Sequence, residues 1–249
     1  MMRSIGIYIA GLVAAILAPI GLARADCLAP LLGGAPPMLE IDQKICHPGF
    51  TIGYSARLRS PLWSAERLTE AQLVDAGRHA RDCSIRASGA VVDGAKNSDY
   101  LHSGFDRWHI APAGDFGADQ QSTCGLANMV PQVPDLNRKV WRAIEEQTRS
   151  MAVAHGGAYV ITGSVYSGVP RYLSERIPIP ESVFKIVISP EAAWAYVATS
   201  RRPIACRLIS IAQFEAQRGV RLVPSLDDKR RSDSWMPEPV KGCVLWEGG

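Results

Sequence analysis

The sequence lacks several patterns that would place it in other classes of protein. It has neither the C-x-x-C spacing nor the Cys/His spacings of zinc sites, which argues against a structural zinc site. It has no internal repeat and no Gly/Ser-rich or Pro-rich linker, which indicates one domain. It also has little excess charge, because 27 Lys and Arg oppose 24 Asp and Glu. The whole-chain charge therefore argues neither for nor against a nucleic-acid partner, since phosphate contacts depend on where basic residues are placed.

The first 25 residues predict a secretory signal peptide. Arg3 precedes an apolar run over residues 5–22, and Ala23-Arg24-Ala25 is a small-x-small cleavage site. An uncleaved membrane anchor is the alternative, because the run approaches the length of a short span. Cleavage after Ala25 leaves residues 26–249 as a single domain with 25 basic and 24 acidic residues. We therefore expect a periplasmic or secreted protein with no stable membrane association.

All six cysteines follow the predicted cleavage site: Cys27, Cys46, Cys83, Cys124, Cys206 and Cys243. An even count in an exported chain predicts three disulfides, although the sequence alone leaves many connectivities open. Cys27 and Cys46 are the natural local pair, because they flank a segment whose Gly and Pro pairs oppose regular structure.

Secondary structure is indicated mainly outside the segment that carries the chemistry. A strand pair is expected over residues 54–68, and Thr69 is expected to cap a short helix toward Ala76. β-branched and aromatic runs predict strands over residues 158–163, 182–189 and 192–199. Ser210 is expected to open a helix that ends at Gly219.

The segment from Ser103 to Glu145 concentrates the residues that can perform chemistry. It contains the run Asp106-Arg107-Trp108-His109, then 126–132 (LANMVPQ), and then a helix that opens at Leu136-Asn137 and carries Trp141 and Glu145. An imidazole with a pKa near neutrality can act as a base, and a guanidinium fits a phosphate bidentately. Together with oxygen ligands, these are the requirements of metal-assisted phosphodiester hydrolysis.

Each of these residues also has an ordinary structural interpretation. A single His is usually structural or on the surface, and Arg107 could form an exposed salt bridge with Asp106. We take Asp106 to orient the loop rather than to perform chemistry. Asn137 could bond the backbone at the start of its helix, where Asn is favoured, or it could bind a metal ion. The helix pattern alone rates these two roles for Asn137 equally.

The argument for Asn137 depends on the faces of its helix. At about 100° per residue, Asn137 falls in the middle of the apolar face and Glu145 lies at its margin. The other members of that face are Val140, Ile144, Thr148 and Met151, with Trp141 at its edge. A buried amide without partners costs roughly 1–3 kcal/mol. We therefore expect the Asn137 amide to have a partner.

The order and spacing of these motifs resemble the DNA/RNA non-specific endonuclease family of the ββα-metal superfamily. Its signature reads roughly D-R-G-H, then L-S-N-x-x-P-Q, then N-x-x-x-W-x-x-L-E. Residues 162–166 and 179–186 also resemble the family's T-G-P-x-Y/F turn and I-P-x-x-F/W-K-V strand. The resemblance runs with gaps from about Tyr54 to Cys243. One departure is Trp108, which stands where the family has Gly.

The resemblance implies a fold and an activity. The fold would be α+β, with a ββα-metal finger over about residues 90–151 embedded in a mainly antiparallel sheet flanked by helices. The activity would be a Mg²⁺-dependent, sugar-non-specific endonuclease that hydrolyses phosphodiester bonds of DNA and RNA. Such a site reads the phosphate backbone, which carries no sequence information directly. Whether the chain forms a homodimer is left open.

The resemblance also implies roles for individual residues. His109 would deprotonate the attacking water and Arg107 would bind phosphate. Asn137 would be the direct ligand of one Mg²⁺, with Mn²⁺ as a substitute, and Glu145 would hold a water beside that ion. Asn128 would support the site near His109. The family places a further phosphate-binding Arg upstream, for which Arg78 is the first candidate and Arg81 the second.

Two further expectations concern the disulfides and Trp108. The resemblance implies Cys206–Cys243, because the family carries a pair placed like it; together with the local pair Cys27–Cys46, this leaves Cys83–Cys124. Trp108 admits two interpretations, since Gly permits backbone angles that Trp does not. Either the backbone is ordinary and the ring covers the apolar side of the site, or the site is remodelled. A remodelled site would leave a catalytically inactive nucleic-acid-binding protein, and an exported disulfide-stabilised adaptor protein is a further alternative.

Overall fold

A computed structural model describes residues 27–232 and 235–245, so the predicted signal peptide lies outside the described residues. A mainly antiparallel sheet, in which the pair β11–β12 is parallel, forms the centre of the fold, with helices on both faces. Its eight strands lie in the order β1-β2-β3-β6-β9-β10-β11-β12. Their bounds are β1 Gln43–His47, β2 Phe50–Ser55, β3 Ser60–Leu68, β6 Ala158–Val165, β9 Ser182–Ile188, β10 Ala193–Thr199, β11 Cys206–Ile209 and β12 Val244–Leu245.

The remaining elements are short, apart from one long helix. Two small antiparallel sheets are formed by β4 Asp106–His109 with β5 Met129–Gln132, and by β7 Arg171–Leu173 with β8 Ile177–Ile179. The helices are α1 Glu70–Ala76, α2 Asn97–Tyr100, α3 Arg142–Ala154, α4 Ile211–Arg218 and α5 Asp228–Arg231. The observed α+β architecture agrees with the expected fold class. No helix in the described ranges is long and apolar enough to cross a membrane.

Each face of the large sheet buries a separate apolar core. One face packs against β4, β5 and α3 through a cluster that includes Trp108, Val130, Trp141 and Ile144. The other face packs against α4 through a second cluster, in which Phe184 of β9 contacts Phe214. The β4–β5 hairpin and α3 therefore form a layer that lies on one side of the sheet.

The expected elements outside the site are present. β2 and β3 pair as an antiparallel hairpin, in which Gly53 allows close approach of Trp63, whose ring would lie 2.2 Å from a Cβ at that position. The Thr69 hydroxyl accepts a hydrogen bond from Gln72 N at the start of α1. α4 begins with a reciprocal capping box between Ser210 and Gln213 and ends at Gly219, which is left-handed with φ of 64°. The three predicted strands correspond to β6, β9 and β10.

The helix that carries Asn137 and Glu145 begins differently from the expectation. Leu136–Trp141 is a π-helical segment that continues directly into α3. The side chains that this run buries are Leu136, Trp141, Ile144, Thr148 and Ala152. Asn137 is only half-buried. The prediction that Asn137 lies in the middle of the buried face was wrong, because a π-helical turn holds more residues than the 3.6 assumed.

Three disulfides join Cys27 to Cys46, Cys83 to Cys124, and Cys206 to Cys243. These are the pairs expected from the family resemblance together with the local pair Cys27–Cys46. Such a set is typical of proteins that fold in an oxidising compartment. Cys83–Cys124 is the pair closest to the chemistry, because it ties the loop after α1 to the segment that leads into β5.

Candidate active site

His109 is the last residue of β4, where it pairs with Met129 of β5. Its Nε2 lies 3.3 Å from Cys83 Sγ, and no hydrogen bond to its Nδ1 occurs within the described residues. Burial, and secondarily the positive charge of Arg81, lower the pKa of His109 to about 4. The imidazole is therefore neutral at pH 7. The Cys83 sulfur is part of a disulfide and has no hydrogen to donate, so a hydrogen bond at this contact requires the ring proton on Nε2. That tautomer leaves the lone pair on Nδ1 to accept a proton.

Asn128 fixes the loop that follows His109. Its Oδ1 accepts a hydrogen bond from Ala111 N at 3.0 Å, and its Nδ2 donates to Ala111 O at 2.9 Å and to Thr123 O at 2.8 Å. Its carbonyl oxygen also accepts from Ile110 N. All of these partners are backbone groups, and Asn128 is 1% exposed. The side chain therefore supports the site by holding the backbone beside His109.

Trp108 lies in ordinary strand structure. It pairs with Val130 in the β4–β5 ladder and is not among the residues with positive φ. Successive strand residues point to opposite faces, so Trp108 enters the core while His109 points away from it. The Trp108 ring is 2% exposed and makes an edge contact with Trp141 at 5.0 Å. The first interpretation of Trp108 therefore holds: the ring covers the apolar underside of β4.

Asp106 orients Asn137. Asn137 Nδ2 donates to Asp106 Oδ2 at 2.9 Å, and the Arg138 guanidinium binds both carboxylate oxygens. Burial raises the pKa of Asp106, but the hydrogen bonds from Arg138 and Asn137 outweigh it and hold that pKa below its ordinary value. Since Nδ2 is committed to the carboxylate, Oδ1 of Asn137 faces away from it. Within the described residues no donor bonds that oxygen, so the backbone-bonding alternative for the Asn137 side chain is not what the structure has.

Arg107 does not pair with Asp106. Its Nη2 donates to Asn97 O at 3.1 Å, and its guanidinium lies over the Tyr100 ring at 5.2 Å. Arg107 and His109 occupy alternate positions of β4, so their side chains share the face opposite to Trp108. The guanidinium is held from below by the ring and by one carbonyl, which leaves other N–H groups for a phosphate.

Arg81, rather than Arg78, lies beside the other candidate residues. A Cβ placed on Gly114 would lie 2.6 Å from Arg81 Nη2 and 3.3 Å from Arg149 Nη1, so both guanidinium groups crowd that glycine. The charge of Arg81 acts on both His109 and Glu145. No such contact or charge effect of the Arg78 side chain occurs within the part of the chain that the structure describes.

Glu145 lies among charged groups at the base of the site. Burial raises the pKa of Glu145 to about 7; Lys185 opposes this increase, Asp115 adds to it, and Arg149 and Arg81 oppose it. Arg149 Nη1 binds Asp115 Oδ1 at 2.8 Å, with side chains that are 21% and 4% exposed. Arg149 follows Glu145 by one helical turn and is not among the candidate residues identified from the sequence. The signal that could have identified it is this spacing of four residues from a candidate Glu.

Two further ionisable residues, Glu66 and Lys185, lie near Glu145 in the large sheet. Glu66 of β3 is fully buried without a hydrogen-bond partner, and Lys185 of β9 donates to Thr162 Oγ1 at 2.7 Å. Burial, and then the charge of Asp115, raise the pKa of Glu66 well above its ordinary value, while Lys185 opposes the shift. For Lys185 the sequence signal was a lone charge inside an apolar strand, whereas Glu66 stands next to Arg67 and gives no such signal.

The site offers one oxygen ligand rather than a carboxylate cluster. Within residues 27–232 and 235–245, one group of three possible metal-binding side chains of the His, Cys, Asp or Glu type has its ligand atoms close together. It consists of Cys83, His109 and Cys124. Mg²⁺ prefers oxygen ligands and keeps several waters. The free Oδ1 of Asn137, with the Glu145 carboxylate two turns further along the helix, fits such an ion. A cavity of about 440 Å³ lies on the opposite side of the sheet beside Phe184 and Phe214, away from these residues.

Comparison with known proteins identifies the same family as the motifs. A sequence profile described as DNA/RNA non-specific endonuclease matches residues 37–229. Human mitochondrial endonuclease G is 28% identical over 221 residues, which cover 78% of this chain and 72% of that protein. Nuclease C1 of Cunninghamella echinulata var. echinulata is 29% identical over 205 residues, which cover 72% of this chain and 81% of that protein.

A solved structure shows the same fold. A chain in the crystal structure of the EndoG/EndoGI complex superposes with a TM-score of 0.65 at 21% identity, covering 77% of this chain and 89% of that one. The matched profile covers most of the chain and includes β4, β5 and the helix with Asn137 and Glu145. The chain therefore belongs to the DNA/RNA non-specific endonuclease family and is a nuclease of that family.

Proposed function

We propose that this nuclease depends on Mg²⁺ and that His109 is its general base. The observation that carries the proposal is the state of His109: the ring is neutral, its Nε2 contacts the Cys83 sulfur, and its Nδ1 has no partner among the described residues. A base must be unprotonated and must reach the water that attacks phosphorus. His109 meets the first condition, and its position beside Arg107 on the outer face of β4 supports the second.

Asn137 and Glu145 would hold the ion. Asn137 Oδ1 would be its direct protein ligand, oriented by the Asp106–Nδ2 hydrogen bond, and Glu145 would accept hydrogen bonds from waters around it. When bound, Mg²⁺ supplies positive charge that polarises the phosphate and stabilises the leaving oxygen. Mn²⁺ would be a substitute because it favours the same ligands. Asp106 acts by orienting Asn137, and Asn128 acts by holding the His109 loop.

Arginine side chains would bind the substrate. We assign Arg107 to the scissile phosphate, because its guanidinium shares a face with His109. We assign Arg81, in place of Arg78, to a further phosphate contact, because its charge lies near both His109 and Glu145. Phosphate contacts carry no sequence information directly, so DNA and RNA are both expected substrates.

The N-terminal segment, which lies outside the described residues, bears on where the enzyme works. We propose that residues 1–25 are a cleaved signal peptide, that residues 26–249 act as one domain, and that the enzyme works in the periplasm or outside the cell. The three disulfides support this location. N-terminal sequencing of the exported protein tests the cleavage site, and sedimentation tests whether the enzyme is a monomer or a homodimer.

The base assignment is tested by His109→Ala with plasmid DNA and single-stranded RNA as substrates. Loss of a general base should lower the cleavage rate by about 10²–10⁴-fold on both substrates. The far-ultraviolet circular dichroism spectrum should be unchanged, and chelation should remove the wild-type activity. His79→Ala removes an exposed imidazole and serves as the control. A His109→Ala enzyme that retains most of its rate would show that another group is the base.

The metal assignment is tested by comparing Asn137→Ala with Glu145→Gln over a range of Mg²⁺ concentrations. Asn137→Ala should weaken Mg²⁺ binding and remove activity together, because it deletes the direct ligand. Glu145→Gln keeps the shape and one acceptor, so it should lower the rate by about 10–100-fold with a smaller change in the Mg²⁺ midpoint. An unchanged midpoint in Asn137→Ala would contradict the ligand assignment.

A further inference from the structure

The sulfur atoms beside His109 form a second candidate metal site. The ligand atoms of Cys83, His109 and Cys124 all lie within 4.8 Å of one another. We propose that reduction of the Cys83–Cys124 disulfide creates a soft-metal site, with two thiolates and His109 Nε2 as ligands, which binds Zn²⁺ and switches the nuclease off. Two Cys and one His with an open fourth position is an established zinc ligand set.

The geometry needs little adjustment to bind zinc. Tetrahedral zinc with Zn–S of about 2.3 Å and Zn–N of about 2.0 Å requires ligand atoms roughly 3.5–3.8 Å apart. Cys83 Sγ already lies 3.3 Å from His109 Nε2. The two cysteine Cα atoms are 5.6 Å apart, so rotation of the side chains separates the sulfurs without moving the backbone. The fourth position is left for water or a small ligand.

Hydrogen bonds hold the two cysteine segments together independently of the disulfide. Gln120 Oε1 accepts from Asp82 N at 2.9 Å, and Gln120 Nε2 donates to Ala80 O at 3.0 Å. Arg86 N donates to Cys124 O at 3.1 Å. Reduction therefore breaks one covalent bond in a segment that remains tethered on both sides of Cys83. The ligands stay near each other, which favours metal capture over local unfolding.

The reaction balances as an ordinary thiol–disulfide reduction followed by metal binding. A thiol reductant supplies two electrons and two protons, its own thiols become a disulfide, and Cys83 and Cys124 become thiols. Binding of Zn²⁺ then releases those two protons, because thiolates are the ligands. The two thiolate charges neutralise the ion, so the neighbouring positive charge of Arg81 does not prevent binding.

Metal capture would remove the base by changing the tautomer of His109. In the oxidised protein the Nε2 proton is directed at Cys83 and the Nδ1 lone pair is free. When Nε2 binds zinc, the proton of the neutral ring must lie on Nδ1. An N–H group at Nδ1 cannot accept a proton from water. This step rests on the proposed role of His109, whereas zinc binding itself does not.

Zinc binding is measured first, without reference to activity. The purified chain is reduced with a phosphine, desalted without oxygen and titrated with Zn²⁺ by calorimetry and with Co²⁺ by its thiolate charge-transfer absorbance. Cys206→Ser/Cys243→Ser is the matched control, because it removes the other long-range disulfide and leaves the site intact. We expect one tight site in the reduced control variant and none in the oxidised protein. Cys83→Ser/Cys124→Ser should lose the site, and His109→Ala should weaken it at least about tenfold.

The outcomes separate this inference from the proposed function. Equal Zn²⁺ binding by oxidised protein, or loss of the tight site in Cys206→Ser/Cys243→Ser alone, would overturn the inference. If Cys83→Ser/Cys124→Ser fails to fold by circular dichroism, Zn²⁺ affinity is compared in the reduced control variant with and without His109→Ala. Equal affinities in the two would then overturn the inference. Nuclease activity should fall in the reduced, zinc-loaded chain and return with a zinc-selective chelator. Tight binding at these three residues without loss of activity would support the metal site but refute both the switch and His109 as the base.

Discussion

The burial of His109 should make the stability of the protein depend on pH in a defined window. Its pKa is lowered to about 4 in the folded chain, whereas a solvated imidazole titrates near 6.5. Between these values the unfolded chain binds a proton that the folded chain does not, so stability falls as the pH falls from about 6.5 to about 4. At higher pH both states are neutral and the effect is absent.

The size of the effect follows from the two pKa values. Between pH 7.5 and pH 5 the linkage relation gives a loss of at most about 2 kcal/mol from this one group, which approaches roughly 3 kcal/mol near pH 4. His109→Gln removes the titration while keeping a polar side chain. From pH 7.5 to pH 5, the unfolding free energy of the wild type should therefore fall by up to about 2 kcal/mol more than that of the variant.

The assay is urea denaturation at pH 7.5 and pH 5 in the presence of chelator, so that no metal contributes. Glu66 and Glu145, whose pKa values burial raises, are present in both proteins and cancel in the comparison. His79→Gln is the control, because it shows how removing an imidazole outside the site changes the unfolding free energy at the two pH values. Equal losses of stability in wild type and His109→Gln would refute a His109 buried beside Arg81.

Three other outcomes follow from the packing and the charges. Trp108→Gly restores the family's usual motif but deletes a buried ring, so the unfolding free energy should fall by roughly 3–5 kcal/mol in urea denaturation; a loss below about 1 kcal/mol would contradict the packing. Arg81→Ala should raise the KM for a short oligonucleotide more than Arg78→Ala does, since Arg81 lies near His109, and the reverse order would return the assignment to Arg78. Non-reducing peptide mapping should join Cys206 to Cys243, and removing both should lower stability by about 3–4 kcal/mol; any other partner for Cys206 refutes the pairing.

The β4–β5–α3 motif could be anticipated from the sequence because its signals are local. Asp106, His109 and Asn137 lie at fixed spacings along the chain, and turn residues separate the elements. The capped helices α1 and α4 were predictable for the same reason, since a cap is a hydrogen bond between residues three positions apart.

The orientation of the helix that carries the site was not predictable from periodicity. A regular α-helix places Asn137 in the buried face, but the π-helical start places it at the margin and against Asp106. Tertiary contacts also decide which strands pair with each other, and they place the Trp108 ring against Trp141. A periodicity analysis assumes a fixed number of residues per helical turn. Tertiary packing instead favours the π-helical turn, in which the Trp141 ring is buried.

The sequence by itself determined the family, the identity of the base and ligand candidates, and the local elements that present them. The tertiary structure alone decided which charges surround those residues. Arg81, Arg149 and Lys185 come from a loop, a helix and a distant strand, and they meet near Glu145 only after the sheet and α3 pack together. Electrostatic interactions depend on distance in space and on exclusion of water, and neither quantity is encoded by spacing along the chain.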